Sequence, residues 1–267
     1  MGGAHARTLR PSMDGVYGTL FTPAASTSSV GALVIGGSGG SEPSYVAEAL
    51  AGRGTAALSV AYFGRPGLPD TLSLIPIEYF GRALKILSSA LREPARLVTV
   101  GMSRGSEAAV LAAVYCGNDV AGVILSVPAN VSFGGWPNGG PAWLLGDSPV
   151  PWADDPARDL DAPEAMLPVE RVNGPLLLIS AGADEVWPSA LMAKAIVDRL
   201  RQFGHGHDFE LLEYPRARHA LGYLVPHLPD GLLPPDVFDD EATQRARSEA
   251  WPHLFSFLER LTARNAG

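Results

Sequence analysis

The sequence Gly101-Met102-Ser103-Arg104-Gly105 lies between an apolar, β-branched run and an alanine-rich run. Residues 96–100 have the pattern of a buried strand, and residues 106–114 have the pattern of a helix. A G-x-S-x-G motif between a strand and a helix is typical of a tight turn that lifts a serine hydroxyl above a sheet. The chain has 30 glycines, so the motif alone could be an ordinary turn, and its flanks make it informative. We therefore predict that Ser103 is a nucleophile.

Short apolar runs alternate with amphipathic stretches along most of the chain. This alternation predicts an α/β fold with a mainly parallel sheet flanked by helices. The predicted strands are residues 15–22, 31–36, 55–61, 96–101, 119–126, 174–180 and 208–214. The predicted helices are residues 42–53, 76–92, 104–116, 188–203 and 242–263. A chain of 267 residues can bury its own core, so we expect a single domain over residues 1–267.

Residues 127–173 interrupt the alternation with many prolines and glycines and three tryptophans, Trp136, Trp143 and Trp152. A connection this long inside a compact domain is usually functional. We predict a lid-like insertion over the site. The alternative is an irregular surface excursion anchored by buried tryptophans.

A nucleophilic serine needs a base, and the base needs a third group to orient it. In the α/β-hydrolase arrangement, an acid and then a histidine follow the serine, each after a late strand. Asp184 follows one late predicted strand and His219 follows the next, so we predict the catalytic residues Ser103, Asp184 and His219. Glu185 is the alternative acid by position, and His227 is the alternative histidine.

The predicted reaction also needs donors for a developing oxyanion. One should be the backbone N–H of Arg104, directly after the serine. The other should come from the glycine-rich loop 36–40, and we predict the backbone N–H of Ser38. The loop could instead cradle a phosphate, but it lacks the G-K-[ST] ending and the full G-x-G-x-x-G spacing of such loops.

Composition excludes several other classes of function. A formal net charge of −8 argues against nucleic acid as the main partner. The apolar runs have the length of strands, so no membrane span is expected. The lone Cys116 is expected to be a packed residue of the helix after the serine turn. Residues 1–7 carry no apolar segment of a secretory signal, so a cytoplasmic location is expected.

Beyond the serine motif, several longer pieces of sequence form a second pattern. They are residues 35–40, 61–64, 75–80, 101–107, 167–170, 174–179 and 184–189. The Ile-Pro-Ile-Glu-Tyr-Phe piece at 75–80 and the Asp-x-x-Trp-Pro-Ser piece at 184–189 are far more specific than G-x-S-x-G. On these pieces, residues 30–222 resemble the C-terminal catalytic domain of the acyl-CoA thioesterase and bile acid-CoA:amino acid N-acyltransferase family.

The resemblance implies an α/β-hydrolase fold and an enzyme that acts on acyl thioesters. The triad of that family falls on Ser103, Asp184 and His219, which the residue pattern already indicates. The residues expected to contact substrate are Gly37, Tyr62, Phe63 and Trp187.

Amino-acid-conjugating members of the family tend to carry cysteine where this chain has Ser103, so hydrolysis is expected rather than transfer. Acyl transfer to an amine, amino acid or alcohol is the alternative, followed by carboxylesterase or lactonase activity and, last, a non-catalytic scaffold. The expected partner is a small-molecule acyl thioester or an acyl carrier protein, and neither a cofactor nor a metal is expected. The sequence leaves association into a homo-oligomer open.

Overall fold

The fold is built on a central β-sheet. The computed structural model describes residues 4–24, 29–117, 119–156 and 158–263. Its strands are β1 (His5–Leu9), β2 (Tyr17–Thr22), β3 (Val30–Ile35), β4 (Ala56–Ala61), β5 (Ile75–Pro76), β6 (Arg96–Met102), β7 (Val120–Ser126), β8 (Trp143–Leu145), β9 (Ser148–Pro149), β10 (Leu176–Ala181) and β11 (Phe209–Tyr214).

Eight of these strands form one sheet in the order β1-β2-β4-β3-β6-β7-β10-β11. Strand β2 runs antiparallel to both of its neighbours, and the other neighbouring pairs are parallel. The prediction of a mainly parallel sheet is therefore confirmed. The carboxyl ends of β6, β10 and β11 lie on the same edge, where open α/β sheets bind their ligands.

Helices cover both faces of the sheet. They are α1 (Pro11–Asp14), α2 (Ser44–Ala51), α3 (Glu78–Ser88), α4 (Gly105–Tyr115), α5 (Ser189–Gln202) and α6 (Glu241–Ala263), with short 3₁₀ turns at Pro163–Ala165, Val169–Arg171 and His219–Tyr223. Helices α3, α4 and α5 supply one apolar cluster, and α2 and α6 supply the other. Alternate residues of β3 enter opposite clusters, Leu33 one and Val34 the other, because successive strand side chains point to opposite faces.

All seven predicted strands and all five predicted helices are present, with ends that differ by a few residues. Strand β1 was missed because four of its five residues are exposed, so it has no apolar alternation to detect. It is held by antiparallel pairing of its backbone with β2.

The described residues of 127–173 contain no long helix or strand. Strand β8 in this segment pairs with β5 and β9 to form a small second sheet. Of its three tryptophans, Trp143 is fully buried, Trp136 is 59% exposed and Trp152 is 37% exposed. The segment is therefore anchored in the core by one tryptophan and presents the other two at its surface.

Among the described residues, no helix combines the length and the apolar character that crossing a membrane requires.

Candidate active site

Ser103 lies on the turn between β6 and α4, with a φ of 54°. This left-handed conformation is unusual for a residue with a side chain and is typical of strained functional turns. A Cβ atom on Gly101 would collide with the backbone of Gly105 and Ser106. One on Gly105 would collide with the carbonyl of Ile35. The turn therefore requires glycine at both ends of the motif.

A chain of hydrogen bonds joins Ser103, His219 and Asp184. Ser103 Oγ lies 3.1 Å from His219 Nε2, and His219 Nδ1 lies 2.8 Å from Asp184 Oδ1. With Nδ1–H donated to the carboxylate, Nε2 is left to accept the serine proton. The side chains of Asp184 and His219 are only 1% and 9% exposed. The structure thus brings together three side chains that the sequence separates by 116 positions.

The Asp184 carboxylate is held by further donors. Its Oδ2 accepts a hydrogen bond of 2.6 Å from Ser189 Oγ, and its Oδ1 accepts the backbone N–H groups of Val186 and Trp187. Ser189 is fully buried at the start of α5. The sequence places Ser189 at the start of a predicted helix and in the Asp-x-x-Trp-Pro-Ser piece, but neither pattern predicts this contact, which holds the carboxylate toward His219.

The alternative acid and the alternative histidine occupy other positions. Glu185 makes no hydrogen bond to the imidazole; its carboxylate accepts the backbone N–H of His219 instead, at 3.1 Å. His227 is exposed. His205 lies against the carbonyls of Glu170 and Gly174, away from the carboxyl ends of the strands.

Both predicted oxyanion donors belong to residues that line the cleft beside Ser103. Within the described ranges, no backbone hydrogen bond uses the N–H of Ser38 or of Arg104. Gly37 passes so close to the nucleophile that a Cβ atom there would lie 3.0 Å from Ser103 Cβ. The loop backbone and the serine are therefore adjacent, as donors to a common oxygen must be.

Two of the predicted substrate-contacting residues lie outside the cleft. Tyr62 and Phe63 are buried, and the Tyr62 hydroxyl donates to the carbonyls of Gly36 and Gly37. Burial raises the pKa of Tyr62. The Phe63 ring lies against Gly40, so a Cβ atom on residue 40 would collide with the ring. These two side chains pack against the glycine-rich loop and are not among the described residues that line the cleft.

Gly37 and Trp187, the other two, do line the cleft. The Trp187 ring meets the His219 ring edge-on with 6.0 Å between centroids, and its indole N–H donates to the carbonyl of Val127. Val127 has a φ of 43°, which is strained for a β-branched residue. The packing of Trp187 therefore connects the imidazole to the backbone that leaves β7.

The cleft has a volume of about 450 Å³. Its walls include two segments that the sequence did not mark by periodicity. Trp136 and Pro156 come from residues 127–173, and Pro234, Asp236 and Val237 come from the segment between the 3₁₀ turn and α6. The proline content of this second segment was the only signal that could have indicated it.

The side chain of Arg104 points away from the cleft and into the protein. It pairs with Glu107 of α4 and donates to the carbonyl of Phe133. The Glu107 carboxylate also accepts the indole N–H of Trp143 at 2.7 Å and the backbone N–H of Phe133. Complete burial raises the pKa of Glu107, and the charge of Arg104 acts on that pKa in the opposite direction. This pair links the serine turn to residues 127–173.

Comparisons with known proteins agree with the predicted resemblance. Residues 152–233 match the family described as BAAT / Acyl-CoA thioester hydrolase C terminal. Acyl-coenzyme A thioesterase 6 of Mus musculus is 27% identical, over 92% of this chain and 63% of that protein. Acyl-coenzyme A amino acid N-acyltransferase 2 of Rattus norvegicus is also 27% identical, over 77% of this chain and 52% of that protein. Mitochondrial acyl-coenzyme A thioesterase 2 of Homo sapiens is 26% identical, over 92% of this chain and 55% of that protein.

The predicted resemblance to acyl-CoA thioesterases and N-acyltransferases is thus confirmed. The chain spans between about half and two thirds of the length of these relatives.

Solved structures establish the fold. Acylaminoacyl peptidase of Pyrococcus horikoshii superposes with a TM-score of 0.61 at 16% identity, over 98% of this chain and 42% of that chain. A dienelactone hydrolase-like promiscuous phosphotriesterase from metagenomic libraries gives 0.62 at 17% identity, over 96% of this chain and 99% of that chain. The prediction of an α/β-hydrolase fold is confirmed.

Proposed function

We propose that this chain is a serine hydrolase that cleaves an acyl thioester through an acyl-serine intermediate. The observation that carries the proposal is the hydrogen-bonded chain from Ser103 through His219 to Asp184 beside an open cleft. The names of the relatives supply the substrate class, because they include acyl-coenzyme A thioesterases.

In the first half of the reaction, Ser103 Oγ attacks the thioester carbonyl while His219 Nε2 accepts the hydroxyl proton. Asp184 keeps the imidazole in position and stabilises the imidazolium. The backbone N–H groups of Ser38 and Arg104 are the proposed donors to the oxyanion, each contributing about 3 kcal/mol. Collapse breaks the C–S bond, and the leaving sulfur takes the proton from His219.

In the second half, water takes the place of the thiol. His219 accepts a proton from water, whose oxygen attacks the acyl carbon, and then returns that proton to Ser103 Oγ as the ester bond breaks. The products are a free acid and the regenerated serine. Apart from water, the proposed steps use Ser103, His219, Asp184 and the two backbone donors.

The cleft favours an uncharged acyl group. Its volume of about 450 Å³ lies within the usual range for small-molecule sites. The described lining residues with ionisable side chains are His219, Tyr45, Tyr223 and Asp236, together with Arg104, whose side chain points away from the cleft. Because Arg104 is committed to Glu107, it offers no cation to a substrate carboxylate. We therefore propose a short, uncharged acyl group carried by coenzyme A or by an acyl carrier protein.

We further propose that residues 127–173 act as a partial cap within a single α/β-hydrolase domain. Trp136 and Pro156 support this role because both line the cleft. A cytoplasmic location stays a prediction, since one relative is named as mitochondrial.

The test is a panel of acyl-CoA, acyl-pantetheine and oxygen-ester substrates, with free thiol measured by a colorimetric reagent and acids by mass spectrometry. A fluorophosphonate should add one adduct per chain, at Ser103. Thiol release matched by an equal amount of free acid is the expected result. Brisk cleavage of oxygen esters without thioester turnover would make the protein an esterase or lactonase. No labelling and no turnover would leave a scaffold.

Acyl transfer is the second candidate, and the relative named as an amino acid N-acyltransferase favours it. An amine can attack the same acyl-serine that water attacks. The panel should therefore be repeated with glycine or taurine present. An N-acyl conjugate that forms faster than free acid would replace hydrolysis with transfer.

A further inference from the structure

Glu185 follows the proposed catalytic acid directly, and its carboxylate joins two separate stretches of backbone. Its Oε2 accepts the N–H of His219 at 3.1 Å, and its Oε1 accepts the N–H of Phe238 at 3.0 Å. The first of these begins the 3₁₀ turn that carries the imidazole. The second belongs to the segment that supplies Asp236 and Val237 to the cleft wall. Glu185 therefore connects the histidine turn to that wall.

Other hydrogen bonds hold the residues on either side of His219. The backbone N–H of Arg218 donates to Thr243 Oγ1 at 2.9 Å, and the carbonyl of Ala220 accepts from Arg247 Nη1 at 3.1 Å. Both partners belong to α6, so these bonds fix the histidine turn to a helix on the face of the sheet.

Arg247 extends this attachment to the cleft wall. Its buried guanidinium forms a two-bond ion pair with Asp239 at 2.6 and 2.8 Å, a geometry that gives both strength and direction. Asp239 directly follows Phe238, and the backbone N–H of Phe238 donates to Glu185. The wall segment is thus held from α6 on one side and from Glu185 on the other.

The hydrogen bond from Glu185 comes from a different element than the bonds from α6. Glu185 leaves the same turn after β10 as Asp184, so it fixes the backbone of His219 relative to the carboxylate that orients the imidazole. Bonds from α6 set the histidine turn against the outer helix only. A misplacement of about 1 Å in a catalytic group can cost roughly 100-fold in rate.

We propose that Glu185 is a positioning residue that holds His219 in line between Asp184 and Ser103. This inference rests on the proposed serine mechanism. The side chain acts through the backbone of His219 and does not touch the reacting atoms. Because the carboxylate accepts one N–H with each oxygen, it cannot be replaced by a group with one acceptor and one donor.

Glu185→Gln is the direct test, because it keeps the shape and turns one acceptor into an NH₂ that faces an N–H. Glu185 is exposed, so the variant should fold. We expect kcat to fall about tenfold, because the imidazole is less well placed. KM should stay within twofold, because Arg247 still holds the wall segment through Asp239. The matched control is Glu213→Gln, an exposed carboxylate at the end of β11 that pairs with Lys194. It should leave kcat unchanged.

A double-mutant cycle separates positioning from a merely structural effect. In an Asp184→Asn background the imidazole is already in the wrong tautomer and cannot act as the base, so its placement matters less and adding Glu185→Gln should cost less than twofold more. Full additivity of the two losses would overturn the proposal, and so would an unchanged kcat in the folded single variant. If wild-type Ser103 is not labelled by fluorophosphonate, the serine mechanism itself fails. Normal labelling of the wild type with no effect of Glu185→Gln rejects only this inference.

Discussion

Two sides of the cleft are built in different ways. The side chains of the proposed triad, Ser103, Asp184 and His219, follow the carboxyl ends of strands β6, β10 and β11. Other parts of the cleft wall, which contain Trp136 and Val237, come from segments that have little regular structure. The first side is held by close backbone contacts and a chain of hydrogen bonds. The second is held by scattered anchors such as Trp143 and Arg247.

This difference suits the two sides to different tasks, catalysis at the strand ends and the choice of acyl group at the irregular walls. A triad close to strand ends can be kept to a fraction of an ångström, because the sheet fixes the strand ends and hydrogen bonds fix the turns that follow them. Catalysis depends on that accuracy. Irregular walls can change residue by residue without disturbing the sheet. We therefore expect changes on the strand side to act on kcat and changes in the walls to act on KM and on the choice of acyl group.

The largest effect should follow loss of the nucleophile. Ser103→Ala should lower kcat about 10⁶-fold, because the base then has no hydroxyl to activate. Steady-state thiol release and fluorophosphonate labelling measure this. Ser248→Ala, an exposed serine on α6, should retain full activity. A Ser103→Ala variant that kept a tenth of the activity would contradict the mechanism and the contrast between the two sides.

Next comes the acid. Asp184→Asn should lower kcat about 10⁴-fold, since an amide favours the wrong imidazole tautomer. The fold should survive, because the Asn oxygen can still accept the N–H of Val186. Circular dichroism and single-turnover kinetics check both points. Asp198→Asn on α5, an exposed acid, is the control. Equal activity of Asp184→Asn and this control would reject the role of Asp184.

A backbone change at the serine turn should lower stability. In Gly105→Ala the new methyl group would meet the carbonyl oxygens of Ile35 and Gly36, which belong to the sheet and the glycine-rich loop and cannot move freely. We expect a loss of about 3 kcal/mol in the free energy of unfolding. Gly206→Ala has open space around it and should change little. Urea denaturation compares them, and equal stabilities would show that the turn is not under this constraint.

The strand side of the cleft was also the part that the sequence predicted well. Apolar runs, the G-x-S-x-G spacing and the order of acid and histidine all arise from local backbone requirements, which leave local patterns in the sequence. Placement at one edge of the sheet followed from its parallel strands. The seven predicted strands and five helices were therefore found where expected.

Contacts between distant segments left no such pattern. The role of Glu185 on the backbone of His219 depends on the path of the chain after β11, and the bond from Ser189 to Asp184 depends on the entry to α5. Tyr62 and Phe63 were assigned to substrate from a motif, yet their hydroxyl and ring support the glycine-rich loop from within the core. Burial decided these roles, and periodicity does not report on it at single positions.

A wall residue should show a smaller and different effect. Trp136 is 59% exposed at the cleft, so Trp136→Ala should raise KM for longer acyl chains by up to about tenfold, or ~1.4 kcal/mol of lost aromatic contact, with kcat nearly unchanged. The control is Trp152→Ala in the same insertion. The Trp152 indole N–H donates to Asp154, and Trp152 is not among the described residues that line the cleft. Equal changes in the two variants would show that this wall does not select the acyl group.

The smallest effect concerns Cys116, the only cysteine of the chain. It caps α4 at the end away from Ser103, about 17 Å along the helix at 1.5 Å per residue, so it cannot replace the serine as nucleophile. Burial raises the pKa of its thiol, and Glu78 adds to the shift. Because the thiolate is the reactive form, iodoacetamide at neutral pH should modify Cys116 slowly and leave activity intact. Cys116→Ala should keep kcat within twofold. Rapid inactivation of the wild type by iodoacetamide, absent in Cys116→Ala, would mean that the far end of α4 is coupled to the strand side of the cleft, against the separation argued above.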